Sequence, residues 1–372
     1  MSGLRAEGCR RPWRGPRSAA TRLATPGSPK VSNKEWVQRV LDHQDGLPVP
    51  YHLPLSPQPR RSLEVYYGTE EVEAFLDLPI RMAGPRSIKP LYAHPQQFGP
   101  RAVDEFGVVW ATSPIDRGSP VGPCLNAPTL KGYRFPDPSA PYRFAELGPW
   151  CCRNASQYTI LWIGDLWERA SFMCGMEQLL TYVALQKPFV ADLLEAIAQY
   201  VLGTLEVLLE RFAFDGVALS DDYGTQRALV ISPRDWRQLI KPRLARIIAR
   251  AKAGGKAVML HSCGNVRAIV PDLVDLGLDI LHPIQPEAMD ILELKRQFGR
   301  HLTFFGGLGT QQTLVQATPE QLRQEVRRLQ RAMGWGGGYL LEPAITIQAD
   351  VPLENTLAFL DAAAGAARCG RP

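Results

Sequence analysis

The stretch Val258-Met259-Leu260-His261-Ser262-Cys263-Gly264-Asn265 sets an imidazole and a thiol two positions apart at the end of an apolar run. Strand side chains alternate faces with period 2, so His261 and Cys263 point the same way. One imidazole and one thiolate on one side of a strand tip supply half the ligands of a zinc site. The same pair would serve as an acid–base element. It also fits a plain strand end, with Cys263 packed as a small hydrophobe and His261 bonded to backbone.

Other apolar runs close on polar residues in the same way. Val217-Ala218-Leu219 ends in Ser220-Asp221-Asp222, Leu278–Leu281 ends in His282, and Tyr339-Leu340-Leu341 ends in Glu342. Adjacent aspartates on a strand face opposite ways, so at most one of Asp221 and Asp222 shares a face with chemistry. The other reading is that they cap the Asp-Tyr-Gly turn that follows. Glu342 is costly to bury unless it is ion-paired or binds a metal. Gln285 and Glu287 lie in a His-Pro-Ile-Gln-Pro-Glu loop, where one of them faces substrate or the loop is a simple turn. Gly336-Gly337-Gly338 reads as a flexible entry to the last strand rather than a phosphate cradle, and the adjacent Cys151 and Cys152 read as packing residues.

The elements that must carry these residues form a rhythm. Structure is expected to begin near Val31, with a helix over Asn33 to Leu41. The proline- and aromatic-rich stretch from Gly46 to Trp150 reads as short strands, short helices and long loops. From Tyr158 onward, apolar runs alternate with amphipathic patterns. Ser232-Pro233 opens a helix with Ser at the N-cap and Pro at the first position. Thr318-Pro319-Glu320-Gln321 is a capping box. A last helix spans Leu353 to Ala366. Alternating strands and helices mean a buried parallel sheet. Six such units follow residue 150, and the first third has room for two more. A (β/α)8 TIM barrel with irregular N-terminal elaborations is therefore expected, with its chemistry at the C-terminal strand ends. Neither GxGxxG nor GxxxxGK[ST] follows a strand, which argues against a nucleotide-binding sheet.

Composition narrows the partners. Residues 1–30 hold seven Arg or Lys and one Glu, so the other 342 residues carry −1 of the net +5. A near-neutral body makes no case for nucleic acid. The basic segment 1–30 is expected to be a disordered tail ahead of a single domain from 31 to 372. No run of about 18 apolar residues suggests a membrane span. The seven cysteines follow no framework spacing, which points to a reduced, cytoplasmic protein.

Ser220-Asp221-Asp222-Tyr223-Gly224-Thr225-Gln226, His261-Ser262-Cys263-Gly264, Gln285-Pro286-Glu287-Ala288 and Phe305-Gly306-Gly307 form an ordered set. With Asp104-Glu105-Phe106-Gly107 and Tyr133-Arg134-Phe135-Pro136-Asp137-Pro138 upstream, this set resembles the uroporphyrinogen decarboxylase superfamily from about Val31 to Ala366. The resemblance implies the barrel fold and one of two activities, tetrapyrrole decarboxylation or zinc-dependent methyl transfer to corrinoids or thiols. The decarboxylases carry an arginine-rich RQAGR element, where this chain has Pro48-Val49-Pro50-Tyr51-His52-Leu53-Pro54-Leu55. The methyltransferase branch uses a His-x-Cys tip with a third cysteine after the last strand. That position falls near Ile345 here, and Glu342 is the nearby replacement ligand.

The resemblance thus implies zinc held by His261, Cys263 and Glu342, with Asp222, His261 and Cys263 as the catalytic set. Asp221, Tyr223, Gln285, Glu287 and Gln348 would bind substrate. The expected reaction moves a methyl group between a corrinoid, or another small methylated compound, and a thiol. A corrinoid protein is the expected partner, and a homodimer is compatible with the reading. The runner-up is a cofactor-free carboxy-lyase using Arg60, Arg61, Arg81 or Arg169 to hold substrate carboxylates. A non-catalytic corrinoid- or tetrapyrrole-binding protein stands third.

Overall fold

The computed structural model describes residues 31–369; the expected basic tail, residues 1–30, lies outside the described residues. Seven parallel strands make one curled sheet. They are β1 (Ile80–Ala83), β5 (Tyr158–Gly164), β6 (Gly216–Ser220), β7 (Ala257–His261), β8 (Ile280–Ile284), β9 (Thr303–Leu308) and β10 (Tyr339–Pro343), neighbours in that order. The segment Tyr51–Leu55 lies along the far side of β10 through two isolated parallel bridges, Tyr51 to Leu341 and Leu55 to Ile347. It takes the place of an eighth strand, giving the TIM-barrel-like α/β architecture expected from the rhythm. Three short strands, β2 (Arg101–Val103), β3 (Val109–Ala111) and β4 (Ser119–Gly122), form a separate antiparallel sheet.

The strands are buried on both faces, which is why they read as unbroken apolar runs rather than alternating ones. Every residue of β8, β9 and β10 is buried. Helix Pro188–Arg211 lays a stripe of Phe189, Val190, Leu193, Leu194, Ile197, Val201, Leu205 and Leu208 into the core, the spacing of a 3.6-residue helix. The capping box at Thr318 is present, and Ser232 caps its helix through the Asp235 N–H. The helix that Ser232 opens stops at Leu239 and restarts at Lys241, where Pro242 removes a backbone donor.

The three glycines before β10 all have positive φ. They are held rather than loose. Gly338 donates its N–H to the Val40 carbonyl, the Lys295 ammonium donates to the Gly337 carbonyl, and a Cβ on Gly338 would meet the His43 ring.

Asp104 joins the antiparallel sheet to the barrel. Its carboxylate accepts the N–H groups of Phe106 and Val108 and the Trp110 indole N–H, each at 3.0 Å. It also pairs with Arg169 at 3.0 Å, and Arg169 reaches Asp165, just past β5, at 3.1 Å. Tyr133 adds a hydroxyl bond to the Phe106 carbonyl. Removing one partner of a buried pair strands the other charge. Asp104→Ala is expected to lower unfolding stability by about 3–5 kcal/mol, read by urea unfolding followed through tryptophan fluorescence. A loss below about 1 kcal/mol would show that the cluster behaves as a surface ion pair.

Candidate metal centre

Parallel register brings the polar strand ends level. Ser220 is paired with His261, and His261 with His282. The chain leaves β6 and β7 in two loops that touch back to back. A Cβ on Gly264, where φ is +78°, would lie 2.5 Å from the Gly224 carbonyl carbon. Asn265 N–H bonds the Thr225 carbonyl at 2.7 Å across the same crossing. A side chain at position 264 would push the loops apart, so the glycine directly after Cys263 is a packing requirement.

The loop contact carries Asp222 over the tip of β7. Its Oδ1 accepts the Cys263 N–H at 2.9 Å and lies 3.4 Å from His261 Nε2. Cys263 Sγ lies 3.5 Å from the same Nε2. Among the described residues, Asp222, His261 and Cys263 offer a carboxylate oxygen, an imidazole nitrogen and a sulfur within 4.8 Å of one another. Carboxylate, imidazole and thiolate together suit zinc, and three protein donors leave a coordination position for a reactant. Burial tends to raise the Asp222 pKa, but the bond to His261 outweighs it and holds the carboxyl near 2. Burial likewise tends to lower His261, while Asp222 and Cys263 raise it to about 10. The site therefore attracts positive charge.

Glu342 does not join these three. It is 3% exposed, with Oε1 3.4 Å from His282 Nε2 and Oε2 3.2 Å from His52 Nδ1. His282 stands between Glu342 and the cluster, its Nδ1 2.9 Å from His261 Nδ1. Burial alone would raise the Glu342 pKa, but the two imidazoles dominate and hold it near 2. Phe305 packs against His52 and His282, and Trp162 packs edge-on to His261.

The residues expected to bind substrate divide by burial. Asp221 is fully buried and accepts the N–H groups of Leu166 and Glu168 and the Tyr223 hydroxyl. With Tyr223 only 2% exposed, this pair is buried and holds the turn after β5. Gln285 Oε1 accepts the Gly264 N–H at 3.0 Å, which braces the β7 loop. Glu287 Oε1 accepts the Gln311 N–H at 3.1 Å, while its Oε2 is buried without a hydrogen-bond partner. Gln348 is half-buried and donates to the Thr346 carbonyl.

Glu168 was not singled out in the sequence. It opens the helix Trp167–Cys174 and accepts the Ser220 hydroxyl at 2.8 Å. Burial, then the charges of Asp222 and Asp165, raise its pKa from 4.5 to about 6 against the Ser220 bond and Arg117. Arg117, in the loop between β3 and β4, reaches to 4.0 Å from its Oε1. The sequence signal was Asp165-Leu166-Trp167-Glu168 directly after the β5 apolar run, a strand end closing on acids like the others. The arginines proposed for carboxylate binding are engaged elsewhere. Arg169 is held by Asp104 and Asp165, Arg60 pairs with Glu73, and Arg61 pairs with Glu64; Arg81 is half-buried on β1.

Residues 163–365, more than half the chain, match the family model described as "Uroporphyrinogen decarboxylase (URO-D)". The chain is 25% identical over 208 residues to a uroporphyrinogen decarboxylase of Psychromonas ingrahamii, covering 54% of this chain and 56% of that one. It is 27% identical over 148 residues to the methylcobamide:CoM methyltransferase MtaA of Methanosarcina barkeri, covering 40% and 41%. The chain thus spans about half the length of the curated relatives it matches. A methyltransferase from Methanosarcina mazei shares the fold with a TM-score of 0.67 at 17% identity, over 90% of this chain and 99% of that one. The strand order, the match from the end of β5 through β10 and these relatives agree: the chain belongs to the uroporphyrinogen decarboxylase family.

Proposed function

We propose that this protein is a zinc-dependent methyltransferase that passes a methyl group from a methylated corrinoid to a thiol. The observation that carries the reading is the convergence of Asp222, His261 and Cys263 at adjacent strand ends. The match to a methylcobamide:CoM methyltransferase supports the donor and acceptor classes. Zinc held by these three would lower the pKa of an acceptor thiol toward neutrality.

The chain's own residues do the rest. Asp222 is fixed by the Cys263 N–H, so donor and backbone move together. Trp162 and Phe305 wall the imidazoles and keep water from that side. Glu168, poised near pH 6 beside Asp222, holds the proton that the acceptor thiol releases. The thiolate sulfur then forms its bond to the methyl carbon, and the electron pair of the broken carbon–cobalt bond stays on the corrinoid. The three cluster residues are half-buried, which suits a small acceptor.

A carboxy-lyase is the second reading, favoured by the match to a uroporphyrinogen decarboxylase. It needs guanidinium groups available for substrate, and Arg60, Arg61 and Arg169 are already ion-paired. Side-by-side assays with methylcobalamin plus a small thiol, and with uroporphyrinogen, separate the two. Loss of the methyl-corrinoid absorbance is expected, with no carboxylate loss from the tetrapyrrole. The reverse outcome assigns the lyase.

Purified protein is expected to hold about one equivalent of zinc, falling below about a tenth in Cys263→Ser. Metal analysis that finds the same low content in both rejects the metal assignment.

Glu168 gives a pH test in zinc-free protein. An acid whose pKa is raised in the folded state favours folding fully below its unfolded value and loses that contribution as pH rises through the folded one. Glu168 therefore weakens the fold between pH 4.5 and about 6. Glu168→Gln removes that titration, so its stability relative to the parent should rise by about 2 kcal/mol across the window. A difference that stays flat with pH would contradict the raised pKa.

A further inference from the structure

Four side chains from four segments form a line behind the metal centre. His52 comes from the Tyr51–Leu55 segment, Glu342 from β10, His282 from β8 and His261 from β7. Consecutive contacts are 3.2 Å, 3.4 Å and 2.9 Å. The line ends where His261 Nε2 faces Asp222 and Cys263. The backbone also holds it, since His52 N–H bonds the Leu341 carbonyl at 3.0 Å and Ser262 N–H bonds the His282 carbonyl at 2.6 Å.

We propose that Glu342 acts as a positioning residue that sets the hydrogen positions of His282 and His261 in series, so that His261 commits Nδ1–H to His282 and presents Nε2 to the metal side. The logic runs through donors and acceptors. A carboxylate only accepts, so both nitrogens facing Glu342 carry hydrogen: His52 Nδ1 and His282 Nε2. His282 has a side chain 8% exposed and stands against a second imidazole, so a cation there would be buried beside the metal centre at high cost. It is neutral and, with Nε2–H committed to Glu342, has a bare Nδ1. Two nitrogens 2.9 Å apart need one hydrogen between them. That hydrogen belongs to His261 Nδ1. With Nδ1–H given to His282, the His261 atom that faces Asp222 and Cys263 is Nε2; without metal it donates its hydrogen to Asp222, and loss of that proton leaves the Nε2 lone pair for the metal.

The role of this series in metal binding rests on the zinc reading above; the tautomers themselves do not. Glu342 thus acts through two imidazoles rather than as a ligand. His52 holds its other oxygen, so the carboxylate cannot rotate away from His282.

The direct test is long-range nitrogen–proton correlation NMR on histidine-labelled, zinc-free wild-type protein. The described residues contain six histidines, and His282→Gln and His52→Gln assign the signals. The expected spectrum has His282 protonated on Nε2 with a bare Nδ1, and His261 protonated on Nδ1 and, in the absence of zinc, on Nε2 as well. A His282 protonated on Nδ1, or on both nitrogens, overturns the proposal. In Glu342→Gln the amide can present N–H₂ to His282, so the series loses its fixed direction. That variant is expected to show altered His282 tautomer signals and zinc affinity lowered about 10–100-fold, measured by competition with a chromophoric chelator. An unchanged tautomer with unchanged zinc affinity in a folded Glu342→Gln variant also overturns it. The expected tautomers in a wild-type protein that binds no zinc would uphold this series and remove the metal reading. The opposite tautomers in a protein that binds zinc would do the reverse.

Discussion

The parallel register of β6, β7 and β8 is the constraint on which the site depends. It sets Ser220 beside His261 and His261 beside His282. Because these strands are buried on both faces, a slip of one residue would move apolar side chains to the strand ends and polar ones into the core. The apolar runs therefore hold the register, and the register holds the chemistry. The glycine crossing of the next two loops adds the remaining coordinate, since it lets Asp222 reach the Cys263 N–H.

Acidic groups crowd the ends of β5 and β6. Asp165, Glu168, Asp221 and Asp222 lie close enough to perturb one another. Each is managed differently. Asp165 faces Arg169, Asp221 is surrounded by backbone N–H groups and the Tyr223 hydroxyl, and Asp222 faces His261. Glu168 has the weakest compensation, a serine hydroxyl and a distant guanidinium, and its pKa is raised to about 6, while complete burial pushes Asp221 well up despite its bonds. A buried acid with incomplete compensation is where proton chemistry is expected.

The half of the chain after residue 150 was legible because its strands are short apolar runs, most of them closed by polar residues, that alternate with helices. Ser232 and Thr318 cap where their sequence signals place them. Tyr51–Leu55 was not legible, since Pro48, Pro50 and Pro54 interrupt any strand pattern and its pairing partner lies far along the chain. The same distance hid the His52 contact to Glu342. Period 2 correctly put His261 and Cys263 together, and it correctly allowed one of the two aspartates to join them. The third member of the group was expected to be Glu342; Asp222 stands there instead, because His282 lies between Glu342 and the pair. Glu168 was not read at all, although its position just past β5 repeats the strand-end signal.

The line from Asp104 through Arg169 to Asp165 bears on how the polypeptide can be divided. The stretch that carries the family likeness starts at residue 163, yet β5 is hydrogen-bonded to β1, Arg169 is neutralised partly from residue 104, and Glu342 is held from residue 52. The stretch that the family model matches is thus smaller than the region tied together by these contacts. A boundary drawn at the likeness would cut a buried ion pair and a sheet edge at once. The described part of the irregular first third is structural foundation for a site to which it contributes the His52 imidazole and the Arg117 guanidinium.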